Sequence, residues 1–147
     1  MIGRSGGASK MNTDIQILRS SFSRLSPRAD ALTQCFYDRL FARHPEVLPL
    51  FDGTDFEAQR KKLMRALALV VRHLEQPDFL RAYLQGLGAI HLAYGVLPEH
   101  YRAVGDCLLT ALADTAGSTW SEAEAAAWQG AFTLISEAML TGAERLG

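Results

Sequence analysis

The chain has 147 residues, 48% of them hydrophobic and 21% charged, and carries a net charge of −1 at pH 7. That length suits one domain with a sizeable core, roughly 70% of the unfolded surface being buried at this size, and the balanced charge gives no electrostatic reason to expect nucleic acid or an anionic membrane as partner. The longest apolar run, Ala66 to Val71, is far too short to span a bilayer.

Residues 1–12 are rich in Gly and Ser, with two basic residues and no apolar core. They read as a disordered lead-in and not as a secretory signal. The two cysteines, Cys35 and Cys107, lack CxxC or zinc-ligand spacing, so a buried reduced pair in the cytoplasm is the expectation. Thr13 is a plausible N-cap, and Ile15, Leu18, Phe22 and Leu25 mark a first helix. Ser26-Pro27 places a cap before a proline at the first helical position of a second, lined by Leu32, Phe36 and Leu40. A turn-rich connection from Pro45 to Asp55 follows.

Asp55 can cap a third helix with Phe56, Leu63, Leu67, Val70 and Leu74 inward and Arg60, Lys61, Arg65 and Arg72 outward. Pro77 opens a fourth, which Gly95 closes. Pro98 opens a fifth, with Tyr101, Val104, Leu108 and Leu112 inward. Ser121 to Glu124 form a capping box ahead of Trp128, Phe132, Ile135 and Met139. No segment alternates like a strand, no repeat occurs, and no linker divides the chain. Six substantial helices over residues 13–147 predict a single all-α domain.

On the fourth helix Leu80, Leu84, Leu87, His91 and Tyr94 recur at spacings of 4, 3, 4 and 3, one inward face. An imidazole there needs partners for its nitrogens or costs a few kcal/mol to bury. A neutral imidazole is a common metal ligand; a core histidine bonded to a carbonyl or water is the plainer alternative. His44, His73 and His100 lack such inward context and read as surface or supporting residues. Cys107, beside Leu108, reads as a small core hydrophobe.

These segments, taken in order, are similar to single-domain bacterial globins and to the haem domain of flavohaemoglobins, over about 135 residues from Met11 onward. Phe36-Tyr37-Asp38-Arg39-Leu40-Phe41 resembles that family's second-helix signature with its distal tyrosine at Tyr37. Leu50-Phe51 resembles the corner phenylalanine that packs on haem. Gln59 and Leu63 match the distal glutamine and the leucine beneath it. His91, Tyr94-Gly95-Val96 and Pro98-Glu99-His100-Tyr101 resemble the proximal segment, continued by Val104 to Leu109.

The resemblance implies a globin fold of about six to eight helices around haem b, held by His91 as iron ligand and by no CxxCH attachment. It implies Phe51, Lys62, Leu87, Tyr94, Val96, Tyr101 and Val104 around the cofactor, with Tyr37, Gln59 and Leu63 on the gas side. The second nitrogen of His91 needs an acceptor, and the Leu87 carbonyl four residues earlier is within reach. Tyr37 is expected to donate to bound dioxygen, or else to pack with its hydroxyl on Gln59 or a backbone carbonyl. Lys62, Arg60 and Arg65 sit where a haem propionate can be met, or form a solvated charged face. A glutamate that flavohaemoglobins place late in the last helix falls on Ala143 here, beside Glu144. Dioxygen, nitric oxide and carbon monoxide are the implied ligands of a monomer or homodimer. Nitric oxide dioxygenase chemistry would borrow a separate flavoprotein reductase, since the 147 residues carry no glycine-rich nucleotide loop.

Overall fold

Several helix boundaries have a local cause. The computed structural model describes the backbone of residues 2–146 and the side chains of 13–145. It has α1 at Ile2–Leu25, α2 at Ala29–Arg43, α3 at Phe56–Arg72, α4 at Pro77–Ala93, α5 at Pro98–Ala116 and α6 at Glu122–Leu146, with no strand among the described residues. The all-α expectation is met. Pro77 and Pro98 stand at the first positions of α4 and α5, where a missing N–H costs nothing. The Asp55 carboxylate accepts the backbone N–H groups of Glu57 (3.1 Å) and Ala58 (3.4 Å) and so caps α3. Gly95, at φ +92°, closes α4, its N–H bonding to the Leu92 carbonyl while the Val96 N–H reaches that of His91.

Three local expectations change. The backbone of α1 is helical from Ile2, where the sequence suggests a disordered lead-in with Thr13 as cap. Extending an existing helix adds a bond per residue without a new nucleus, so Gly and Ser there do not by themselves end it. Ser26 and Pro27 open a short 3₁₀ turn, Ser26–Arg28, and α2 begins only at Ala29. The Pro45–Phe51 connection is itself a 3₁₀ segment with Val47 buried.

At the start of α6 the Glu124 N–H donates to Ser121 Oγ at 3.1 Å, as a capping box requires. The Glu124 carboxylate, however, turns inward. It accepts from the buried Ser21 hydroxyl at 2.8 Å and pairs with the Arg24 guanidinium at 3.0 Å. The Trp128 indole donates to the same Ser21 oxygen at 3.0 Å. A charge-assisted bond to a distant helix outweighs the local return bond.

Two apolar clusters follow. The larger joins Leu18 and Leu25 of α1, Leu32, Phe36 and Leu40 of α2, Leu67 of α3, Leu108 and Leu112 of α5, and Trp128 and Phe132 of α6. The smaller joins Val70 of α3, Leu80 and Leu84 of α4, and Met139 of α6, with Leu87 and Tyr101 packed against it. So α3 and α4 meet near their shared turn at 73–76. Their far ends have different supports: Phe56 and Leu63 lie on the larger cluster, while α4 packs chiefly on α6. Gln59 and His91 belong to those far ends.

Removing the Ser21 hydroxyl leaves the Trp128 indole without its acceptor and takes one of the donors from the Glu124 carboxylate, which keeps Arg24. Ser21→Ala is expected to destabilise the fold by about 2–3 kcal/mol, read from the urea midpoint; a loss below about 0.5 kcal/mol would show the network to be incidental.

Candidate functional site

His91 lies in the last turn of α4 and is half-buried. Its Nδ1 is 2.8 Å from the Leu87 carbonyl oxygen. A carbonyl only accepts, so Nδ1 carries the proton and Nε2 keeps its lone pair. That is the tautomer a metal ligand needs, through the acceptor expected from the sequence. Among the described residues no three His, Cys, Asp or Glu side chains gather to hold a bare metal ion. A lone imidazole with Nε2 available fits an iron that brings four porphyrin nitrogens of its own.

Tyr37, on α2, is 6% exposed. Its ring meets those of Phe36 at 4.8 Å, Phe56 at 5.7 Å and Phe51 at 5.9 Å edge-on, and that of Phe41 at 6.0 Å. The Gln59 amide on α3 donates to the Tyr37 hydroxyl at 3.1 Å. Accepting there, the hydroxyl keeps its own proton. Burial pushes the Tyr37 phenol above its ordinary value of 10.0, with the Gln59 bond and the Arg60 charge pulling partly back. The phenol therefore stays neutral, and a donor, at physiological pH. Packing residue and potential donor, the two alternatives for Tyr37, coexist in one side chain.

The corner phenylalanine completes an aromatic box. Phe51 lies 5.3 Å from Phe41 and 5.8 Å from Phe56, ring to ring. The 3₁₀ segment that carries it reaches the α4–α5 turn: a Cβ on Gly95 would stand 3.5 Å from Leu50 Cδ2. Phe41 and Phe56 are members of this box that the sequence shows only as a motif letter and a helix-face residue. Arg60 is another omission. Read as rim or solvated charge, it is half-buried and, with Gln34, Tyr37, Asp38, Phe41 and Phe56, lines an α2–α3 cleft of about 450 Å³.

The remaining residues divide. Leu63 and Val104 are half-buried against the larger cluster, Leu87 and Tyr101 against the smaller. Burial raises the Tyr101 phenol pKa. Val96 is half-buried and Lys62 exposed. Tyr94 departs from the inward stripe, being 75% exposed. Its position explains this: α4 ends at Ala93 and Tyr94 is the C-cap, where helical periodicity no longer sets the side-chain direction. Ala143 is half-buried and Glu144 exposed.

The other histidines are engaged locally: His44 Nδ1 with Glu46 at 3.3 Å, His73 with Gln76, and His100 Nδ1 accepting the Leu97 N–H at 2.9 Å to cap α5. Cys107 is buried, and burial pushes its thiol up, with the Arg43 charge opposing. It behaves as core.

A family model described as globin matches residues 34–139, a span containing Tyr37, Gln59 and His91. The flavohemoprotein of Bacillus subtilis (strain 168) is 31% identical over 131 residues, 88% of this chain and 33% of that protein. The chain thus spans about a third of the length of such curated relatives. A bacterial globin structure from Campylobacter jejuni shares 28% identity at a TM-score of 0.80, covering 92% of this chain and 97% of that one. An engineered carbene transferase from Rhodothermus marinus, described as a candidate nitric oxide dioxygenase, shares 28% identity at 0.80, covering 90% and 92%.

Proposed function

The chain belongs to the globin family, and on that premise we propose that it holds haem b through His91 and binds dioxygen and other diatomic gases reversibly on the Tyr37 side. The observation that carries this reading is the His91 Nδ1–Leu87 carbonyl bond of 2.8 Å, which leaves Nε2 as a ligand. Haem, when bound, would supply an iron able to take a diatomic ligand and to cycle between ferrous and ferric states.

The chain's own residues do the rest. His91 donates its Nε2 lone pair and is held in orientation by Leu87. Leu87, Tyr94, Val96, Tyr101 and Val104 are proposed to flank the cofactor on that side, with Lys62 toward a propionate. Phe51 and Leu63 provide apolar wall, and the rings of Phe41 and Phe56 extend it around Tyr37. Tyr37 offers a proton to a ligand that gains partial negative charge, stabilising dioxygen over carbon monoxide. In a dry pocket such a bond is worth about 1–1.5 kcal/mol or more. Gln59 positions that hydroxyl and can itself donate.

The second reading is nitric oxide dioxygenase, supported by the likeness to flavohemoproteins and to the Rhodothermus marinus protein. The conversion balances as NO + O2 + e⁻ → NO3⁻, one electron per nitrate. A flavoprotein reductase is the proposed source of that electron. The cytoplasm, where free Cys35 and Cys107 stay reduced, is the proposed compartment.

In haem-loaded protein Tyr37→Phe is expected to speed dioxygen dissociation about tenfold, from loss of ~1.4 kcal/mol, with Gln59→Leu acting in the same direction. The lost hydroxyl frees the Gln59 amide to take its place, so the double variant should lose more than either alone. Stopped-flow displacement by carbon monoxide measures this; unchanged rates in all three would place neither donor at the ligand.

Oxygenated protein mixed with excess NO, O2 and NADH, with no other protein, should yield about one nitrate per haem and stop as ferric iron. Turnover should resume on adding a flavoprotein reductase. Sustained nitrate formation from NADH alone would contradict the need for a separate electron donor.

A further inference from the structure

Helix α4 lies on α6 more closely than side chains allow. A Cβ built on Gly88 would stand 1.9 Å from the Met139 carbonyl oxygen, and one on Gly142 would stand 2.0 Å from that of Gln85. The two contacts are reciprocal. Gln85 and Gly88 are one turn apart on α4, as Met139 and Gly142 are on α6. Each helix therefore presents one carbonyl and one bare Cα to the other at a single crossing. Contacts of this kind carry weak Cα–H···O attraction, and they fix translation along the helices as well as separation. By contrast, Gly86 on α4 and Gly130 on α6 have nothing within 4 Å of a built Cβ.

His91 is one turn beyond Gly88. The Leu87 carbonyl that receives its Nδ1–H at 2.8 Å sits between the two α4 members of the crossing. Below it, buried Leu84 and Met139 pack in one cluster. We propose that Gly88 and Gly142 form a reciprocal backbone clamp that sets the position of the His91 imidazole at the cofactor site. Both are positioning residues, acting through α4; the inference rests on the reading of His91 as iron ligand. A Cβ at Gly88 cannot be accommodated against the Met139 backbone, so α4 and α6 must part there. The last turn of α4 carries His91 with it.

The test uses haem-loaded wild type, Gly88→Ala, Gly142→Ala and Gly86→Ala. Two readouts apply: the iron–histidine stretching band of the ferrous, unliganded form in resonance Raman spectra, and the rate of haem transfer to a haem-free acceptor protein. Gly88→Ala and Gly142→Ala are expected to shift or split the band and to speed haem loss by roughly tenfold, while Gly86→Ala changes neither. Gly142 stands in the last turns of α6, which ends at Leu146, so local movement there lets its variant keep the fold. Should Gly88→Ala fail to fold, Gly142→Ala decides alone. Wild-type bands and loss rates in the folded clamp variants overturn the clamp, whereas wild type that takes up no haem removes the His91 reading and the clamp with it.

Discussion

Everything proposed for α4 at the cofactor site depends on which nitrogen of His91 carries the proton. The Leu87 carbonyl settles that locally, at 2.8 Å, within one turn of the same helix. Such a bond forms wherever the helix is intact and the ring points along it, so the tautomer is preset before any ligand arrives. It is also vulnerable, because His91 lies in the last turn of α4, where helices fray. Gly95 in the left-handed region, with the Val96 N–H returning to the His91 carbonyl at 3.0 Å, ties that turn down. The α4–α6 crossing secures it from the side.

The proposed gas-binding side has the complementary chemistry. His91 offers a lone pair; Tyr37 offers a proton. Burial among aromatic rings raises the Tyr37 pKa and thereby keeps the hydroxyl a donor, while the same dry surroundings strengthen any bond it makes. Gln59 points its amide at the tyrosine oxygen and leaves the tyrosine proton uncommitted by that bond. The ends that carry the two sides have different supports, Phe56 and Leu63 of α3 on the larger cluster with α2, and the His91 end of α4 chiefly on α6. Substitutions in the proximal crossing and in the distal pair are therefore expected to act independently to first order.

Much of this was legible in the residues because the signals were local. Asp55, Pro77, Pro98 and Gly95 each satisfy or forgo a backbone bond within a turn of themselves, and their helix ends fall where those residues stand. The His91–Leu87 bond is likewise four residues long. Failures occurred where the deciding partner lay elsewhere. Tyr94 continues a perfect stripe in sequence, yet the helix stops before it. Glu124 has the spacing of a capping-box acid, but Ser21 and Arg24 on α1 claim its carboxylate. Gly88 and Gly142 look like weak helix positions until the facing carbonyls are known. Arg60 reads as solvent-facing because periodicity gives a direction and not the depth of the cleft beside α2.

One imidazole nitrogen, freed by the Leu87 carbonyl, is the proposed protein ligand to haem iron. The most direct measurement of that ligation is the absorption spectrum during haem titration of wild type and His91→Ala, in ferric, ferrous and carbon monoxide forms. Wild type should take up one equivalent with a sharp Soret band and a histidine-ligated carbon monoxide spectrum, while His91→Ala should bind haem weakly and recover those bands only when imidazole is added. Identical spectra and stoichiometry in the two proteins would contradict the account.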